Sequence, residues 1–125
     1  MRVRIRFASY SVEAEIFDTA TGKAVLDVLP LTRNVIKWGK EIYFELPVTV
    51  PIEPGSRAEV EKGDLAYWPN MPAFCIFYGP TPVSTDGQPV AASPVNVFGR
   101  LVKLEPGQLD QVAEGQNVTV EFLQD

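Results

Sequence analysis

The chain has 125 residues, a net charge of −5 and no histidine. That length suits one domain around one hydrophobic core, and 46% hydrophobic with 22% charged residues is an ordinary globular balance. The composition excludes more than it suggests: an acidic chain is a poor phosphate-neutralising partner for nucleic acid, and without histidine there is no Ser-His or Cys-His pair and no imidazole metal ligand.

The single cysteine, Cys75, allows no internal disulfide and no zinc site of the usual types. No apolar run approaches the roughly 18–20 residues of a membrane helix. Residues 1–7, Met-Arg-Val-Arg-Ile-Arg-Phe, alternate basic and apolar side chains and lack the apolar core of a signal peptide. The expectations are a cytoplasmic domain covering residues 1–125, with no metal, cofactor, membrane or nucleic acid partner.

In chain order, residues 2–8 predict a strand. Arg2, Arg4 and Arg6 share one of its faces, a solvated row rather than an anion site, with Val3, Ile5 and Phe7 on the other. Residues 12–17 alternate again and pair with it through the turn Ser9-Tyr10-Ser11. Ala24, Val25, Val28 and Leu29 recur at helical spacing, so residues 19–29 predict a helix capped by Thr19 or Thr21 and stopped by Pro30.

Residues 41–46 predict a strand with Ile42, Phe44 and Leu46 inward and Glu41, Tyr43 and Glu45 outward. Pro47 and Pro51 bracket an edge strand or a bend, and Pro54-Gly55 is a turn. Residues 64–68 and 73–78 predict two more strands, the second apolar throughout and therefore covered on both faces. Residues 79–94 predict a long proline-stiffened loop with Asp86-Gly87 at its tip, and residues 95–103 a valine-rich strand. Leu109 and Val112 predict a short helix after Pro106-Gly107, and residues 117–123 a final strand. Many short strands separated by turn signals indicate a barrel or sandwich.

Two groups of motifs carry a resemblance. Val97-Phe98-Gly99-Arg100-Leu101-Val102, followed by a short helix and a last strand, resembles the cyclophilin C-terminal pattern. Trp38-Gly39 with Glu41-Ile42-Tyr43-Phe44, then Gly63-Asp64 with Tyr67-Trp68-Pro69, Cys75 with Phe77, Gly79, Thr81 and Pro82, and Val95-Asn96-Val97 with Gly99 are similar to a family of small prokaryotic cyclophilin-like proteins of unknown function. The resemblance implies a mainly β fold, a cyclophilin-like closed β-barrel with two short helices. It implies no active prolyl isomerase, because the F-H-R-x-x-P-x-F-x-x-Q-G-G-D pattern of active cyclophilins has no counterpart here. The segment Ile42–Val50 that should hold it has neither arginine nor glutamine. The arginine matters because its donated hydrogen bond to the proline nitrogen weakens amide resonance and lowers the rotation barrier.

The expected catalytic set is therefore empty, and the expected ligand-binding set is Trp38, Glu41, Tyr43, Tyr67, Trp68, Phe77 and Asn96. Tryptophan and tyrosine join a large apolar area to a polar tip, which suits a pocket as well as a core. Glu41 beside Tyr43 is a carboxylate next to a phenol, a pair suited to acid–base work, although such a face is ordinarily wet. Cys75, inside an apolar strand with no base to activate it, reads as a packed side chain. Asn96 either braces the 79–94 loop or faces a ligand. The favoured reading is a binding module with an aromatic-lined cleft for a small molecule or peptide segment. The alternatives left open are a weak isomerase using a tyrosine hydroxyl, an amide-cleaving enzyme, and a structural subunit such as a homodimer that buries the aromatic rim.

Overall fold

A computed structural model of the chain describes residues 1–123. The last two residues of the expected 1–125 domain lie outside the described residues. The elements run β1 (Arg2–Arg6), β2 (Ser11–Ile16), α1 (Ala20–Leu26), β3 (Leu31–Asn34), β4 (Ile36–Trp38), β5 (Glu41–Glu45), β6 (Arg57–Glu59), β7 (Asp64–Trp68), β8 (Ala73–Phe77), β9 (Val90–Leu101) and β10 (Asn117–Phe122).

Among the described residues the strands form one antiparallel sheet in the order β3-β10-β1-β2-β9-β7-β8-β5-β4, with β6 added along β9. The sheet is not the expected closed barrel. Closure needs the last strand to ladder with the first, whereas here the path ends at β3 and β4. Those two ends are consecutive in the chain. Between them Val35 spends its amide on Gln116 O and its carbonyl on Gly115 N, each at 2.8 Å. Its backbone groups are thereby taken by a turn and do not carry a ladder around the gap.

The two expected helices reduce to one and a single 3₁₀ turn. Thr19 caps α1 by accepting from Gly22 N at 3.0 Å. The helix ends at Leu26, before the expected Leu29, as Val28 and Leu29 donate back to Val25 O and Leu26 O in tightened turns. Gly22 is required by packing, since a Cβ there would lie 2.3 Å from Phe17 O. Leu109–Gln111 is the 3₁₀ turn. Left-handed glycines at 107 and 115 confine it to a stretch too short for a regular helix, although both Leu109 and Val112 reach the core as their spacing predicted.

The sheet is folded around a main core that includes Val3, Ile5, Phe44, Tyr67, Phe74 and Phe98. Its aromatic centre is a stack of Phe44 on Phe74 at 4.8 Å with Phe98 edge-on to Phe74 at 5.1 Å. A second, smaller cluster lies on the opposite face of β5, β8 and β7 and contains Ala66, Ala73, Cys75, Phe77, Ala91 and Val95. All five residues of β8 are buried for this reason, as its unbroken apolar run predicted.

The strand β9 begins at Val90, inside the segment expected to be loop, so the connection from β8 is only residues 78–89. Residues 47–51 form a bend without strand pairing. The arginine row on β1 is paired at the surface: Arg2 with Glu15 at 2.8 Å and Arg6 with Glu121 at 3.0 Å.

Candidate functional site

The outer face of β4, β5, β8 and β7 carries a hollow of about 200 Å³. Trp38, Glu41, Tyr43 and Trp68 line it from the sheet, and Ala91, Ala92 and Val95 line it from the start of β9. The period-two alternation of strands and the hairpin register create this grouping. Trp38 lies opposite Glu41 across the β4–β5 hairpin, and Tyr43 is two residues further along the same face of β5.

The hairpin turn is Gly39-Lys40. Gly39 has φ +59, and a Cβ there would sit 2.8 Å from the ring of Pro82. The 78–89 connection thus packs against the turn, held by Lys40 N donating to Pro80 O at 2.9 Å and Tyr78 N donating to Lys40 O at 3.0 Å. Trp68, at the end of β7, meets Tyr43 edge-to-face, with ring centroids 6.3 Å apart and planes at 82°. Its indole Nε1 donates to Ser93 Oγ at 2.7 Å, which fixes the ring against β9.

Glu41 departs most from its expected environment. The Glu41–Tyr43 face reads as wet in sequence, yet Glu41 is only 6% exposed. The cause is tertiary: the 91–95 segment of β9 lies over this face. Burial pushes the Glu41 carboxyl up to about 7, opposed in part by a hydrogen bond with Cys75. The Cys75 thiol is pushed well above its ordinary value, first by burial and then by the adjacent Glu41 charge and the same hydrogen bond. It is no thiolate nucleophile. The Tyr43 phenol is also raised, by burial and then by Glu41. The arrangement offers three aromatic surfaces and one carboxyl that changes protonation near neutrality.

The remaining expected residues are placed elsewhere. Phe77 is the partner of Glu41 in the β5–β8 register and lies fully buried in the second cluster, not on the cleft wall. Tyr67 belongs to the main core on the other face, where its hydroxyl accepts from Val50 N at 3.1 Å. Asn96 is also turned away from the cleft. Its Oδ1 accepts from Glu53 N at 2.9 Å, and its Nδ2 donates to Pro51 O at 3.0 Å and to Thr21 Oγ1 at 3.1 Å. Thr21 Oγ1 in turn donates to the Glu53 carboxylate. Asn96 therefore braces residues 51–53 and the start of α1, not the 79–94 segment. Tyr67 and Asn96 together pin the 50–53 stretch to the sheet.

Sequence reasoning missed Ala91, Ala92 and Val95 as wall residues. They lie at the junction of the expected loop and strand, and small apolar side chains carry no chemical signal. Among the described residues, no group of three or more His, Cys, Asp or Glu side chains is placed to hold a metal ion. No helix among them is long and apolar enough to cross a membrane.

Comparison with solved structures finds a hypothetical protein from Archaeoglobus fulgidus, determined in solution. It is 44% identical, with a TM-score of 0.81 over 98% of this chain and 95% of that one. McbB in complex with tryptophan is a more distant likeness, 12% identical with a TM-score of 0.71, and shares the fold alone. The chain matches 45% of McbB's length. A search of curated proteins finds no match. The model of the cyclophilin-like family matches residues 1–121, nearly the whole chain, and the chain belongs to the cyclophilin-like family.

Proposed function

We propose that the protein is a binding module whose cleft between β4, β5, β7 and the start of β9 holds a small molecule or a short side-chain-sized segment of a peptide. The observation that carries this reading is the clustering of Trp38, Tyr43 and Trp68 around the buried carboxyl of Glu41 in one hollow. Such a combination is costly for a structural surface. A carboxyl removed from water wants a strong partner, and here it has a thiol, a weak donor. Aromatic side chains with one placed polar group are the usual lining of a ligand site. The hollow, about 200 Å³, is smaller than the roughly 300–1,000 Å³ of drug-sized pockets, which favours a compact ligand over an extended peptide.

Prolyl isomerisation has no support at this site. Among the described residues no arginine lines the cleft to donate toward a proline nitrogen.

The test is NMR of the labelled protein against a library of small metabolites, tryptophan and short proline peptides. Tryptophan belongs in the set because McbB, which shares the fold, has been solved in complex with it. A ligand is expected to shift the indole signals of both Trp38 and Trp68 together with the Ala92 amide. A library that leaves all three unmoved, or a stable dimer that buries them in solution, would sink the reading. Proline cis/trans exchange in the same samples separates binding from catalysis.

A further inference from the structure

The chemical class of the ligand follows from the composition of the cleft walls, on the reading that the cleft is a binding site. Three aromatic rings share the hollow with one carboxyl, and the other wall residues are apolar. Among the described residues no cationic side chain lines it. The two nearby lysines of the β4–β5 hairpin are engaged elsewhere. Lys37 Nζ donates to Val112 O at 2.9 Å, and Lys40 Nζ pairs with Asp110 at 3.3 Å.

The walls therefore agree in sign. The faces of tryptophan and tyrosine carry negative potential and attract cations, tryptophan most strongly. An ionised carboxyl does the same, and no neighbouring cation offsets it. The residual exposure of Glu41 opens into the cleft. Trp68 holds its one polar atom against Ser93, so it presents a ring to the hollow and not a free donor. The volume admits a compact head group.

We propose that this cleft binds an organic ammonium group, seated against Trp38, Tyr43 and Trp68 with Glu41 as its counter-charge. The chemistry is that of a quaternary or methylated amine, whose diffuse charge is cheap to strip of water and fits an aromatic cage. A free metabolite such as choline and the methylated lysine of a protein share that head group.

Glu41 gives the binding a pH signature. A cation needs the carboxylate, so affinity rises as pH passes upward through about 7, the value at which the empty-cleft carboxyl loses its proton. The groups facing Glu41 are Tyr43 on β5 and the Cys75 thiol on β8, both raised above their ordinary values and so neutral in this range. Glu114 acts on Tyr43 from the turn before β10. The facing residues of β4, β7 and β9, Trp38, Trp68, Ala91 and Val95, do not titrate.

The experiment is a titration of the protein with tetramethylammonium, choline, a trimethyllysine peptide and the neutral carbon isostere of choline, followed by tryptophan fluorescence and the two indole NMR signals. The ammonium probes are expected to bind at least about tenfold more tightly than the neutral isostere. Their affinity should rise about tenfold between about pH 6 and about pH 8, and Glu41→Gln should abolish that rise. Trp38→Ala, at a half-exposed hairpin position, should weaken the same probes while the NMR spectrum stays folded. Preference for choline or for the peptide distinguishes metabolite from protein as the source, and either supports the ammonium class. Equal binding of the neutral isostere, unchanged by Glu41→Gln, overturns this inference and leaves the binding-module reading standing. Failure of every probe here and of the metabolite library removes both.

Discussion

The two faces of β5, β8 and β7 come from the same fifteen residues, five in each strand, and have opposite characters. On the inner face Ile42, Phe44, Leu65, Tyr67, Phe74 and Ile76 are all at most 1% exposed, and the one polar atom among these side chains, the Tyr67 hydroxyl, has a backbone partner. On the outer face the alternate positions hold Glu41, Tyr43, Glu45, Asp64, Ala66, Trp68, Ala73, Cys75 and Phe77. Three of these are small, so the face cannot fill itself. The large residues stand at its margins and leave a hollow with a poorly satisfied carboxyl. One face is spent on stability, the other keeps its chemistry open. The difference lies in side-chain volume, not in backbone, because both faces share every ladder hydrogen bond.

That contrast can be broken first from the inside. Phe74→Ala removes the ring between Phe44 and Phe98 and should lower unfolding free energy by about 3–5 kcal/mol in urea titration. A loss below about 1 kcal/mol would mean that the inner face is not the stabilising one.

The outer face should show the reverse behaviour with pH. The Glu41 carboxyl ordinarily loses its proton at 4.5 and in the fold at about 7. Between those values the folded state binds more protons than the unfolded, so its contribution to stability falls as pH rises through that window and stays lost above it. Glu41→Gln should therefore raise stability above pH 7 by up to about 3 kcal/mol while changing little below pH 4.5, read as the difference between two urea series. Parallel curves for the two proteins would show that Glu41 is solvated after all.

A smaller effect tests the end of the inner face. Asn96→Ala leaves Glu53 N and Pro51 O without their partner and should cost about 2 kcal/mol, with faster amide exchange at Glu53 and no change at the Trp38 indole. A shift of that indole would join Asn96 to the cleft. The smallest stability change is expected from Ala92→Trp at the exposed cleft mouth, within about 0.5 kcal/mol of the parent, yet with ligand shifts at Trp68 abolished.

Much of the fold was legible because its cues are local. Alternation over 2–8, 12–17 and 41–46, the apolar run at 73–78 and the Thr19 cap all depend on residues close in sequence, and each lies within or beside an observed element. The missed strands had weak local cues. β6 is three residues long and mostly charged, and alternation through residues 31–38 is broken at Val35-Ile36, where the chain passes from one sheet edge to the other. The Val90 start of β9 was hidden behind the prolines at 89 and 94, which read as loop. Of the seven expected cleft residues, Trp38, Glu41, Tyr43 and Trp68 meet at one hollow, while Tyr67, Phe77 and Asn96 do not line it.

By itself the sequence determined that this is a small β-rich chain without histidine chemistry, of a cyclophilin-like pattern that lacks the isomerase arginine, and it brought Glu41 and Tyr43 to one strand face through a period of two. Only the tertiary structure decided that this face is covered, that Asn96 and Tyr67 are internal braces, and that the sheet stops short of a closed barrel. The physical reason is common to all three. Burial of a strand face, satisfaction of a buried amide and closure of a ladder depend on segments distant in sequence, here β9 over β5, residues 50–53 over β7 and β9, and the 115–116 turn on Val35. No local pattern of side chains encodes which distant segment will arrive.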